Sequence, residues 1–296
     1  MSLSLNPRLS GGRTPRVPRA ERVRSAHALH PGVALSALVV LLLIVAALWP
    51  GLFTNQDPIE GDPASAFAGS SAAHILGTDQ LGRDLFSRII HGTVYSLSLG
   101  VGASLIGLIG GVILGVLAGY SRGIWDRVIT RALDVLLAFP EVLVALLTIT
   151  ILGPGQWSLL WAVGLGRIPG AARLVRTQVL QIRGSGFIRS GIALGLSPTR
   201  LILKHVVPNS LGPVLVHAVI GVGVCIIFGA ALSFLGLGAV PPTPEWGLML
   251  SEARQYLSIA PWIAIWPGVF ITLTVISVTV TGRWLQQRFI SKRSSL

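Results

Sequence analysis

The chain has 296 residues, of which 52% are hydrophobic and only 11% charged. A water-soluble domain carries about 25% charge, so this chain cannot cover a soluble surface, and lipid is its natural solvent. The net charge of +12 does not point to nucleic acid, because the basic residues sit between apolar runs without the aromatic stripe of a single-strand binder.

Residues 1–30 mix Arg, Pro, Gly and Ser and read as a disordered basic cytoplasmic tail. The first apolar run, 33–53, is too long for a cleaved signal and closes on Trp49-Pro50 without a small-residue cleavage site. An extracytoplasmic segment follows over 54–93, opening with Asp57, Pro58, Glu60, Asp62 and Pro63. Further spans are expected at 94–120, 130–152, 157–177, 211–236 and 262–285, each near the length that crosses a bilayer. The fold class is therefore all-α, a polytopic membrane protein of about six transmembrane helices, with a core over 94–285 and a short tail over 286–296.

Lys and Arg alternate between the two faces. Arg8, Arg13, Arg16, Arg19, Arg22 and Arg24 precede the first span, and Arg122, Arg127 and Arg131 follow the second. Arg173, Arg176, Arg183, Arg189, Arg200 and Lys204 surround the 179–210 connection, and Arg283, Arg288, Lys292 and Arg293 lie in the tail. The opposite face carries only Arg83, Arg88 and Arg254. The positive-inside rule then places both termini in the cytoplasm, in a multi-pass protein of the inner or plasma membrane.

Asp134, Glu141 and Arg167 fall in or near spans, where charge is costly and marks function by default. Ion pairing among them, with Arg127 or Arg131 neutralising Asp134, competes with a place on a transport route or in coupling. Asp79, Arg83 and Asp84 form an Asp/Arg-rich turn that reads either as a local ion-pair network or as a docking surface. Trp49, Trp157, Trp161, Trp246, Trp262 and Trp266 lie near expected outer ends, where interfacial anchoring explains most of them. Cys225 lies within an apolar run and reads as a small buried hydrophobe. A single cysteine excludes an intrachain disulfide and a multi-cysteine metal site, and the scattered histidines show no ligand spacing. Gly100 to Gly111 is glycine-rich but lacks the phosphate-loop lysine; small residues there suit close helix packing in lipid.

The 179–210 connection is patterned as two short helices, about 185–194 and 199–207. Gly195 suits a helix end, Ser197 an N-cap and Pro198 a first turn. Pro208 is expected to stop the second helix. Phe187, Ile188 and Ile192 offer an apolar patch, Ile188 and Ile192 being one turn apart. Such a knob could fit a groove on a moving partner or could pack on its own bundle.

Several strings carry a resemblance. Ala193-Leu194-Gly195-Leu196-Ser197 followed by Val207-Pro208-Asn209 is similar to the coupling loop of ABC importer permeases, although Arg189-Ser190-Gly191 stands where that family often has Glu-Ala-Ala. Gly77-Thr78-Asp79-Gln80-Leu81-Gly82-Arg83-Asp84 with Ser87-Arg88, and Ala231 to Gly238 leading to Pro241-Pro242-Thr243-Pro244-Glu245-Trp246-Gly247, resemble its dipeptide/oligopeptide/nickel branch. Ala172-Arg173-Leu174-Val175-Arg176, Pro261-Trp262 and Pro267-Gly268 extend the likeness over about residues 74–285. Val94 and Gly282-Arg283 depart from it.

The resemblance implies a type I ABC importer permease fold and ATP-driven import of dipeptides or oligopeptides, with a nickel or other small-solute importer as the alternative. An ion-coupled secondary transporter is a more distant one, since Glu141 is the only deep carboxylate. It implies partners: a second homologous permease, two cytoplasmic ATPases holding ATP and magnesium, and an extracytoplasmic binding protein. The chain itself is expected to hold no cofactor or metal, to bind no nucleic acid and to be no enzyme. Phe187, Ile188, Arg189, Ile192, Ala193, Gly195, Ser197 and Pro198 would couple to the ATPases. Asp79, Arg83, Asp84, Arg88, Pro242 and Trp246 would belong to the outer signature or binding-protein dock.

Overall fold

A computed structural model describes residues 31–121 and 123–293, apart from some side chains in the 187–211 stretch and beyond residue 288. The expected basic tail over 1–30 lies outside the described residues. Those described form an all-α bundle without a named strand, two isolated bridges apart.

Helix α1 (Pro31–Leu48) exposes Leu35, Leu38, Leu41 and Ile44, as a lipid-facing helix should, and packs on α10 (Trp262–Arg293). Helix α2 (Leu85–Tyr120) has 36 residues and is about 54 Å long at 1.5 Å per residue, well beyond the hydrocarbon thickness. It starts at residue 85 rather than 94 because the Asp84 carboxylate accepts the Ser87 N–H at 2.7 Å, a capping bond that hydropathy does not register.

The expected span 130–152 is two helices, α3 (Ile124–Ala138) and α4 (Glu141–Leu152), bent by 94°. The break falls on Phe139-Pro140. Proline disfavours the helical region for the residue before it, and Phe139 is extended at ψ 137°.

Helix α5 (Gln156–Arg183) lies against α2, α4 and α8 (Val207–Phe234). Its approach to α2 depends on small residues. A Cβ on Gly115 would stand 2.6 Å from the Ala172 carbonyl oxygen, one on Gly119 2.8 Å from Val179 Cβ, and one on Gly164 2.8 Å from Ile106 Cβ. Gly107, Gly111, Gly115 and Gly119 recur every four residues, so they form one groove along α2. The glycine-rich run therefore serves close packing, as its composition suggests.

Between α5 and α8 lie α6 (Gly186–Ala193) and α7 (Pro198–Leu201). Pro208 does not stop a helix. The chain stays helical through a wide turn over Ile202–Val206, closed from the Val207 N–H to the Ile202 carbonyl, and Pro208 occupies the first turn of α8, where its missing N–H costs nothing. Helix α9 (Trp246–Ala253) is short and packs on α8 and α10.

By length and composition four described helices can cross a membrane: α1, α2, most of α8 and most of α10. The bent pair α3–α4 makes a fifth. The arginines and glycines of α5 keep it below that standard, yet it is as long as α8 and is enclosed on one face by α2.

Candidate functional site

The α6–α7 segment sits at the end of the bundle where α2 stops. Arg183 Nη1 donates to the Gly119 and Tyr120 carbonyls at 3.2 Å each, satisfying orphan carbonyls at the α2 C-terminus. Ile188 is 1% exposed and packs with Val116, Val175, Val179, Leu201, Val206 and Val214. The expected outward apolar patch therefore loses Ile188, which instead pins α6 to α2, α5 and α8. The side chains of Phe187, Arg189, Ile192 and Pro198 lie outside the described residues. Among the described side chains, Leu194, 81% exposed, is a large apolar group that faces outward. It follows Ile188 by six residues, about 240° around a helix, a phase the sequence already contained.

Gly195 has φ +76°, and the Leu196 N–H donates to the Gly191 carbonyl at 3.1 Å while Leu194 N–H reaches Ser190 at 3.0 Å. This is a glycine-closed helix end. No atom lies within 4 Å of a Cβ placed on Gly195, so the requirement there is backbone conformation and not space. Ser197 Oγ accepts the Arg200 N–H at 3.4 Å, the cap its position suggests, and Ala193 is exposed. A knob tied to three long helices and turned by a left-handed glycine can pass a push at its tip into all three.

The intramembrane charges separate into two kinds. Asp134 pairs with Arg173 at 2.7 Å, not with Arg127 or Arg131, because α3 lies across α5. Arg176 grips Asp126 at 3.0 and 3.3 Å. Glu141, exposed at the start of α4, and Arg167, half-buried on α5, enter no ion pair among the described residues.

The opposite end is a cap built by residues 54–84, the start of α2, and α9; it is the end expected to face outward. Here the Asp/Arg signature is a buried network. Arg83 Nε meets Asp79 Oδ2 at 2.6 Å and Arg88 Nε meets the same oxygen at 3.4 Å. Both guanidinium groups also reach Glu252 Oε2, at 3.4 and 3.3 Å, and Arg88 Nη1 donates to the Pro58 carbonyl at 3.0 Å and the Pro242 carbonyl at 3.5 Å. Asp84 pairs with His74 at 3.0 Å. Glu252 could not be found by motif, since 169 residues separate it from Arg83. Of the expected dock residues only Pro242 is exposed. Trp246 is fully buried, its indole N–H donating to the Ile89 carbonyl at 3.0 Å; it is neither an interfacial anchor nor a contact surface. Trp49 and Trp157, in contrast, are exposed as anchors should be.

Glu245 caps α9, accepting the Gly247 and Leu248 N–H groups at 2.8 Å each and the Ser233 hydroxyl. Burial pushes its carboxyl above the ordinary range, against those hydrogen bonds, which pull it down. A proton held more tightly in the folded chain contributes stability below the unfolded pKa and loses it as pH rises through the folded value. The parent's Tm is therefore expected to fall as pH rises above about 4.3, and Glu245→Gln should flatten that fall. A Tm profile as steep as the parent's would contradict this. Among the described residues no group of His, Cys, Asp and Glu is arranged to hold a metal ion.

Residues 111–295 match the family described as binding-protein-dependent transport system inner membrane component. The chain belongs to that family. This inner-membrane permease is 40% identical over 259 residues to the dipeptide transport system permease protein DppC of Alkalihalophilus pseudofirmus, covering 87% of this chain and 85% of that one. It is 42% identical over 267 residues to the glutathione transport system permease protein GsiD of Pectobacterium atrosepticum, covering 90% and 88%. Among solved structures, the inward-facing MetNI methionine ABC transporter superposes with a TM-score of 0.56 at 19% identity, over 68% of this chain and 96% of that one. An amino acid ABC transporter with histidines gives 0.55 at 15%, over 68% and 94%. These likenesses establish the fold, and the permease is a subunit of an ABC importer, a transport component and not an enzyme.

Proposed function

We propose that this permease imports short peptides, of the dipeptide to tripeptide size. The observation that carries the reading is 40–42% identity, over most of both chains, to permeases named for a dipeptide and for glutathione. It works with a second, homologous permease, two cytoplasmic ATPases that hold ATP and magnesium, and an extracytoplasmic binding protein; the chain holds no cofactor of its own. Both termini face the cytoplasm, which puts the α6–α7 knob beside the ATPases and the outer cap towards the binding protein.

In this reading ATP binding draws the ATPases together, and the knob follows. Leu194 and the exposed Arg200 and Lys204 meet the ATPase. Buried Ile188 and the Arg183 bonds to α2 carry the movement into α2, α5 and α8. The rigid network of Asp79, Arg83, Arg88 and Glu252 fixes the surface that Pro242 presents to the binding protein, so those charges act through shape.

Uptake of labelled dipeptide and of glutathione by vesicles holding the complete complex tests the substrate, with substrate-stimulated ATP hydrolysis read in parallel. In Gly195→Val, a β-branched side chain at positive φ strains the backbone by about 1–2 kcal/mol and misaligns the turn, so the protein should assemble while losing uptake and stimulated hydrolysis together. Normal uptake by that variant would refute coupling through this segment.

A further inference from the structure

Arg167 differs from its neighbours on α5. Arg173 and Arg176, six and nine residues nearer the helix end, each hold an aspartate; Arg167, deeper in the span, holds none among the described residues. Helices α2, α5 and α8 contain no Asp or Glu at all. The one carboxylate near this level, Glu141, packs its stem by Gly166, where an added Cβ would stand 3.9 Å away; the residue is exposed and forms no ion pair with Arg167.

The guanidinium crosses from α5 to α8. Its Nη2 and the Ser104 hydroxyl oxygen each lie 3.3 Å from the point where a Cβ on Gly221 would sit, so glycine at 221 makes the room. Ser104 is already committed, donating to the Ala218 carbonyl at 2.7 Å. One turn before Gly221, His217 borders the same small cavity of about 10 Å³ between α2, α5 and α8, room for about one water. Arg167 is half-buried and His217 exposed, so the pair opens onto a face that no described part of this chain covers. An uncompensated charge at membrane depth is costly and persists where it serves a ligand or a pathway.

We propose that Arg167 and His217 form an anion subsite on the transport route, whose ligand is a carboxylate of the transported solute, the C-terminal carboxylate of a short peptide. The planar guanidinium fork matches a carboxylate in two parallel hydrogen bonds. The identity of the ligand rests on the peptide-import reading, whereas the anion subsite does not.

Two experiments on the complete complex in membranes separate these statements. In the first, Cys225 is replaced by alanine and His217 by cysteine, and the new thiol is modified by an anionic and by a cationic methanethiosulfonate reagent. The anionic reagent should react at least about tenfold faster than the cationic one, a preference lost in Arg167→Gln and kept in Arg167→Lys. Equal rates with Arg167 present, the result expected if a carboxylate of the second permease neutralises it, would overturn the subsite. In the second, Arg167→Gln should lower maximal uptake of a dipeptide about tenfold, one charged contact's worth, and change uptake of its C-terminal amide far less. Equal loss of both would overturn the carboxylate assignment. If the unaltered complex imports no peptide, the peptide reading fails, and the reagent preference still decides the subsite.

Discussion

Arg88→Met is expected to destabilise the folded permease by about 3–5 kcal/mol, the cost of removing one partner from a buried ionic network. Arg88 is 1% exposed and touches Asp79, Glu252 and two proline carbonyls. Methionine fills much of the same volume but donates nothing, so two carboxylates and two carbonyls lose a donor inside the cap. Arg83 remains, and can hold only part of that charge. Arg88→Lys keeps the charge without the fork and should lose about 1–3 kcal/mol through the missing charged hydrogen bonds.

The contrast that makes the claim sharp is Arg173→Met. Its bond to Asp134 is shorter than any Arg88 makes, 2.7 Å, but the two side chains are 61% and 46% exposed; such pairs are worth about 0–1 kcal/mol. Denaturant unfolding of the purified chain in detergent, with protease sensitivity of the 54–84 segment as a local probe, reads all three variants. Equal stability of Arg88→Met and Arg173→Met would show that the outer network contributes nothing beyond a surface pair.

Gly111→Val is expected to cost about 1–3 kcal/mol or more through overpacking and to abolish transport in the assembled complex. A Cβ at 111 would overlap the Ala171 Cβ and would also stand 3.0 Å from the Ala171 carbonyl carbon and 3.1 Å from the Ala172 nitrogen. The last two are backbone atoms, so no side chain can swing aside and the whole of α5 must move out. Because α5 leads directly into α6, displacing it also displaces the knob against α2. Gly170→Ala, on the facing helix α5, is the control. Nothing lies within 4 Å of its added Cβ, and it should be neutral or stabilising by about 0.5–1 kcal/mol, the helix preference for alanine. Thermal unfolding and uptake of both variants give the comparison; a Gly111→Val protein as stable and active as Gly170→Ala would remove the tight α2–α5 contact from the account.

Much of this was visible before any coordinates. Apolar length and the scarcity of charge required lipid. The glycine-rich run from Gly100 to Gly111 announced a close helix contact, because backbone approach needs the missing Cβ whatever the partner is. Gly195 before Ser197-Pro198 announced a left-handed turn and a new cap, because local sequence governs local backbone. The bend at Phe139-Pro140 was equally local and was hidden only by the apolar runs over 135–139 and 142–147 on either side of it. The early start of α2 after Asp84 was masked in the reverse way, by the polar and charged Asp84, Ser87, Arg88 and His91 at its beginning.

What the residues determined alone was every property set within a few positions: spans, caps, breaks, the glycine groove and the family motifs. Tertiary structure alone decided which charges meet and which apolar groups face inward. Ile188 is pinned in the bundle and Leu194 left outside, Trp246 is sealed in the cap, Glu252 joins Arg83 and Arg88, and Arg167 goes without the aspartate its neighbours hold. Those outcomes depend on side chains from helices far apart in sequence arriving at one point. Burial and pairing are properties of that point, and no stretch of chain carries them by itself.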